Sequence, residues 1–217
     1  MSLRGGHSRA AVLDPPTVRI LAALMAVGSV VGLVSFRRAN PLAQPLEFRA
    51  EDNPPTLLQV VWPVVNLIGL SYPFLAAIVP GLAYESPWNF GFPYDAVVQV
   101  VGLLVWCAGG LLVVWSARTL GRFMVIEIAV SKDHELVREG PYARIRHPTY
   151  AGAMAMSIGV ALLFLSVALV AVAILLVLIA NYRARKEERL LASPEGFGET
   201  YASYMARTGR FLPRLRM

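Results

Sequence analysis

The chain has 217 residues, of which 56% are hydrophobic and 16% charged, with a formal net charge of +6. An ordinary soluble domain carries about 25% charged residues, and here the deficit is concentrated: Ile20 to Phe36, Asn53 to Tyr84, Ala96 to Ala117 and His147 to Tyr182 contain no Asp, Glu, Lys or Arg. Apolar runs of about 18 or more residues are long enough to cross a hydrocarbon core, so the composition excludes a soluble enzyme and describes an all-α polytopic membrane helix bundle.

The polar start, with Gly5-Gly6 and Pro15-Pro16, reads as a loose tail over residues 1–17. A first span follows from Val18 to Phe36. It is too long for the core of a signal peptide, and Ser35-Phe36-Arg37-Arg38 is no small-residue cleavage site, so it stays as a mature helix. Within it Gly28 and Gly32 form a small-xxx-small pattern suited to close helix approach. Arg37 to Pro55 is a polar connection. Leu57 to Val79 is a second span, with Pro63 and Pro73 placed to kink it. The connection Pro80 to Tyr94 has no Lys or Arg and holds Tyr84, Trp88 and Tyr94, as befits a membrane interface. The third span is Asp95 to Ala117, and it contains the one cysteine, Cys107, expected as a buried, inert thiol.

Residues 18–117 thus form a three-helix region and 118–217 a second region with a helical hairpin and a C-terminal segment. In the second, Thr149 to Tyr182 would be about 51 Å long as one straight helix, about 20 Å more than a bilayer core needs. The expectation is two helices joined by a turn near Leu165-Ser166, hence about five transmembrane helices, or four if the run is not divided. Six Lys or Arg lie in Arg118 to Arg146 and eight in Arg183 to Arg216. They flank apolar spans, which points to the positive-inside rule and not to nucleic acid. With five spans both basic segments lie on the cytoplasmic side, together with the C-terminus.

Two polar clusters stand out. The first contains His134-Glu-Leu-Val137, Gly140-Pro-Tyr142 and Arg146-His-Pro-Thr-Tyr150-Ala-Gly152. Pro148 suits the first turn of a helix and disfavours helix at His147, so His147 belongs to the entry turn, where backbone N–H groups are available to an anionic group. Equally, His147 is a simple helix cap and Tyr142 and Tyr150 are interfacial anchors. The second cluster is Arg183-Ala-Arg-Lys-Glu187-Glu188-Arg-Leu190-Leu191, where Arg183 and Glu187 share one helix face; a solvated, salt-bridged helix end fits as well. A turn and an amphipathic helix start follow at Gly196 to Tyr204. With three histidines, no i, i+4 pair among them and Cys107 inside a span, no metal site is expected.

Taken together, Gly140-Pro-Tyr142, Arg146-His-Pro-x-Tyr150-x-Gly152, Arg183-x-x-x-Glu187-Glu-x-x-Leu191 and Phe197-Gly-x-x-Tyr201-x-x-Tyr204 resemble the signature of the isoprenylcysteine carboxyl methyltransferase and phospholipid methyltransferase superfamily. The resemblance spans about Leu120 to Arg210; where family members often carry Gln, this chain has Glu127. It implies a membrane methyltransferase using S-adenosyl-L-methionine in a cytoplasmic cofactor pocket built from the C-terminal half. By position it implies cofactor contacts from His134, Glu135, Leu136, Val137, Tyr142, His147, Pro148, Thr149, Tyr150 and Glu187, with Glu187 on the methionine ammonium. Arg183 is implied as the residue that approaches the acceptor. If the acceptor is an amine, Glu188 or His147 would be the base. The expected partner is a lipophilic or lipid-attached methyl acceptor, first an isoprenylcysteine-like carboxylate and alternatively a phosphatidylethanolamine-type amine. A non-catalytic membrane scaffold is the reading from another class.

Overall fold

The computed structural model describes residues 13–39, 46–49, 56–79, 81, 95–123, 129–131 and 135–214. Six α-helices lie within them: α1 Pro15–Ala39, α2 Thr56–Ile78, α3 Asp95–Leu120, α4 Pro148–Phe164, α5 Val167–Ala192 and α6 Glu199–Arg207. Helices α1, α2, α3 and α5 are long and apolar enough to cross a membrane, whereas α4 is apolar but has 17 residues, about 26 Å. The protein is therefore multi-pass, with four full-length candidate spans and one short apolar helix among the described residues. Leucines, isoleucines and valines such as Ile20, Leu67, Leu104 and Leu178 are more than half exposed, as side chains facing lipid should be.

The division of the long apolar run falls where the sequence suggests. Leu165 caps α4 in the left-handed region (φ 49°), and Ser166 then opens α5. No glycine is needed because the turn is held by packing. Val160, Leu163, Phe164 and Leu165 are at most 2% exposed, and the first three cluster with Val18, Ala22 and Met25 of α1 and Ala76 of α2. Gln99 of α3, fully buried, donates from Nε2 to Leu163 O at 2.8 Å and accepts from Leu13 N at 3.1 Å, so the carbonyl freed at the end of α4 is paired. Such pairing is needed where no water reaches the backbone.

Helix α3 runs against α4 along a seam of glycines. A Cβ on Gly109 would lie 2.6 Å from Gly152 O, and one on Gly159 would lie 2.6 Å from Gly102 O. The two backbones touch, and glycines seven residues apart on each helix permit it. The pattern noticed in α1 contributes less: Gly28 faces the Trp106 ring, but Gly32 has nothing near it. Cys107 corrects another expectation. It is exposed, because the buried stripe of α3 runs through Gln99, Gly102, Trp106 and Gly109, and residue 107 falls off that face.

Helix α1 begins at Pro15, three residues before the expected span, since Asp14 caps it: Thr17 N donates to Asp14 Oδ2 at 3.3 Å and two prolines suit the first turn. Pro63 and Pro73 lie within α2. The polar connections are not wholly irregular, for Leu46–Arg49 (β1) and Ala129–Ser131 (β2) pair as an antiparallel ribbon. That ribbon is a small addition to a helical fold. The aromatic residues Tyr84, Trp88 and Tyr94 lie outside the described residues.

Candidate active site

The start of α2, the start of α4 and the end of α5 converge, and each brings one part of a polar cluster. Pro148 opens α4 with His147 as its cap residue (φ −123°), as the His-Pro pair implies. Helix α5 continues ten residues past the apolar run, so Arg183, Glu187 and Glu188 project from its last turns. The two polar stretches, more than thirty residues apart in sequence, meet here.

Their contacts are specific. The Tyr150 hydroxyl donates to Glu187 Oε1 and accepts from Arg183 Nε at 3.3 Å. The Arg183 guanidinium lies over the Trp62 ring, 5.2 Å from its centre, and Trp62 meets Tyr150 edge to face at 5.2 Å. His147 stacks on Tyr150 with rings 6° from parallel. Its Nδ1 is 3.3 Å from Glu187 Oε2 and its Nε2 is 3.4 Å from Glu188 Oε1. The Nε2 approach lacks hydrogen-bond geometry, which leaves this buried nitrogen without a hydrogen-bond partner. Burial would lower the His147 pKa, but the hydrogen bond to Glu187 and the charges of Glu187 and Glu188 outweigh it and raise the pKa above 6.5. The ring is therefore held toward its protonated form.

Glu188 has a different task from Glu187. It accepts from Arg146 Nε at 2.8 Å and from Arg210 Nη2 at 2.5 Å, and its side chain is 8% exposed. Arg210 also donates to Asn181 Oδ1 at 3.0 Å. Arg146 reaches on to the carbonyls of Met205 and Thr208. Backbone bonds complete the clasp, with Arg146 N donating to Gly209 O at 2.9 Å and His147 N to Arg210 O at 3.0 Å. The C-terminal strap after α6 is thus fastened across the entrance of α4, with Phe211 beside the His147 ring. This corrects one expectation: the His147 N–H is taken by the strap and does not serve an anion. Of the first-turn N–H groups, only those of Thr149 and Tyr150 remain, since Pro148 has none.

The other candidates lie nearby or apart. Tyr142 is buried in the turn Gly140–Ala143, its hydroxyl 3.4 Å from Thr149 Oγ1 and its carbonyl accepting from Tyr204 Oη at 2.6 Å. Burial pushes its pKa up to about 12, so it stays a neutral phenol. Glu135 is exposed and Leu136 and Val137 are half-buried; the contacts that define the cluster do not include them. His134 and Glu127 lie outside the described residues. Sequence reasoning missed Trp62, Asn181 and Arg210, which carry no motif and are recruited from other elements.

A cavity of about 120 Å³ lies one to two turns farther along the same three helices, bordered by Val65, Asn66 and Gly69 of α2, Ala153 and Ser157 of α4, and Leu176 of α5.

Residues 100–193 match the model of the isoprenylcysteine carboxyl methyltransferase (ICMT) family. Among solved structures, that of "the eukaryotic intramembrane Ras methyltransferase ICMT (isoprenylcysteine carboxyl methyltransferase) without a monobody" is similar, with a TM-score of 0.50 and 25% identity, over 73% of this chain and 51% of that one. The chain thus spans about half the length of the solved structure it matches. No curated protein matches.

Proposed function

We propose, from the premise that this chain is a member of the isoprenylcysteine carboxyl methyltransferase family through its residues 100–193, that it methylates a carboxylate on a lipophilic, isoprenylcysteine-like acceptor at the cytoplasmic face of a membrane. The observation that carries this reading is the meeting of Arg183 and Glu187 at one hydroxyl, that of Tyr150. A cation and a carboxylate are held side by side, which is the arrangement that binding an anionic acceptor next to an ammonium-bearing donor requires.

S-adenosyl-L-methionine supplies a methyl group as a sulfonium when bound. The residues present suit it: Glu187, with its side chain 22% exposed, is the carboxylate for an ammonium group, and the His147 ring stands beside it with Nδ1 3.3 Å from Glu187 Oε2. Pro148 and Thr149 open α4 next to His147, with the Tyr142 hydroxyl 3.4 Å from Thr149 Oγ1. Arg183 holds the acceptor carboxylate by charge-assisted hydrogen bonds, and Tyr150 keeps Arg183 and Glu187 in register. Methyl transfer needs little covalent assistance, so alignment is the main contribution of these side chains. A carboxylate is already ionised at neutral pH and needs no base.

That last point favours the carboxylate over a phosphatidylethanolamine-type amine. Glu188 is committed to two arginines, and His147 is held toward its charged form by two carboxylates; neither is free to take a proton from an ammonium.

The test is methyl transfer from methyl-labelled S-adenosylmethionine by the purified chain. Base-labile label on N-acetyl-S-farnesylcysteine is the expected result, and Arg183→Ala should lower that turnover more than it lowers cofactor affinity. Label on phosphatidylethanolamine instead would replace the carboxylate by the amine. If neither S-adenosylmethionine nor S-adenosylhomocysteine binds below about 1 mM, the chain is a scaffold and not an enzyme.

A further inference from the structure

Trp62 belongs to no motif and lies outside the segment that matches the family, yet it touches both halves of the cluster. Its ring face carries the Arg183 guanidinium, and its ring packs edge to face with Tyr150. The same side chain packs against the apolar group of Val65, Met154, Leu176 and Ile179, and Val65 and Leu176 also border the cavity. Asn66, another lining residue, donates from Nδ2 to Trp62 O at 2.8 Å. On α2 the cavity begins one turn beyond Trp62, on α4 one turn beyond Tyr150, and on α5 two turns back from Arg183. At about 5.4 Å per turn, the indole stands at the junction between a cationic site and a hollow within about 10 Å of it.

We propose that Trp62 is the positioning residue for the acceptor: its indole face orients Arg183 toward the anionic group, and its ring packs against the apolar cluster whose Val65 and Leu176 line the hollow that receives the apolar group attached next to it. This rests on the carboxylate reading given above. Tryptophan is the aromatic residue best suited to hold a guanidinium by its face. The hollow, at about 120 Å³, is close to the size of a cavity that accepts benzene. It therefore holds about six carbons of the acceptor, and a longer tail continues into lipid. Selection by this site acts on the group next to the carboxylate and not on the length of the tail.

The experiment measures binding of N-acetyl-S-farnesylcysteine to the full chain in detergent, saturated with S-adenosylhomocysteine, together with the kinetics of methyl transfer. For Trp62→Leu, acceptor affinity and acceptor KM are expected to worsen about tenfold while S-adenosylhomocysteine binds within about twofold of the parent. Trp62→Phe, which keeps a ring, restores most of the loss, a rescue that a merely structural role would not separate from cofactor binding. N-acetyl-S-geranylgeranylcysteine should bind the parent like the farnesyl compound. The assignment is overturned if Trp62→Leu leaves acceptor binding unchanged, if it weakens the cofactor as much as the acceptor, or if the unsubstituted chain does not bind the probe. Probe binding that depends on Trp62 without methyl transfer would sink the reaction proposed above and leave the positioning role standing.

Discussion

The seam between α3 and α4 and the cluster at the ends of α2, α4 and α5 fasten the two sides of α4 by opposite means. Along the seam, glycines let backbones touch and stabilisation comes from contact alone. At the cluster, Arg146, Arg210 and His147 surround Glu188, and the geometry depends on charge. The difference teaches where this fold can tolerate change. Apolar packing inside a membrane fails when volume is added, whereas a buried ion network fails when one partner is removed.

The largest effect expected follows from that asymmetry. Glu188→Ala leaves Arg146 and Arg210 without their carboxylate and should cost about 3–5 kcal/mol, read as an early thermal unfolding transition in detergent. A transition unchanged from the parent would mean that the clasp contributes nothing. Next is Gly159→Val, whose Cβ meets the Gly102 carbonyl and the Trp106 nitrogen at 2.6 Å. Two backbones would have to separate, at about 3 kcal/mol. Gly32→Ala, with nothing within 4 Å, is the control and should leave the transition in place; equal losses from both glycines would refute the seam.

A smaller and different effect is expected of Glu187→Ala. Its carboxylate is more exposed than that of Glu188, so the unfolding transition should move little while S-adenosylhomocysteine binding weakens about tenfold. Calorimetric titration showing intact affinity would remove Glu187 from the cofactor site. The smallest effect is one of pH. The folded-state pKa of His147 is raised, so the stabilisation by its imidazolium is fully present below about pH 6.5 and is lost as pH rises through the folded value. The transition temperature should fall as pH rises above about 6.5, and less so in His147→Phe. A seam variant such as Gly159→Ala should keep the parent's pH dependence; if it does not, charge and packing are not separable here.

Much of the site could be read from adjacent residues. His147-Pro148 predicts a helix entry because proline restricts the residue before it, and Arg183 and Glu187 share a face because a helix repeats every 3.6 residues. The turn at Leu165 was legible only through length: 34 apolar residues are too many for one span, although no glycine or proline marks the break. The glycines of the seam went unread for a related reason. Gly102 and Gly109 match Gly152 and Gly159 only once α3 and α4 are known to be neighbours. The Glu188 clasp was equally hidden, for a carboxylate beside arginines in sequence looks like a solvated helix end until Arg146 and Arg210 arrive from elsewhere.

By itself the amino-acid order determined the membrane setting, the helical class and the two polar stretches, because hydropathy and helical period are properties of residues and their near neighbours. Only the tertiary structure decided that Trp62 would lie under Arg183, that the strap would take the His147 N–H, and that Cys107 would face outward. Those outcomes depend on the rotation and depth at which one helix meets another, and contacts between distant residues set both.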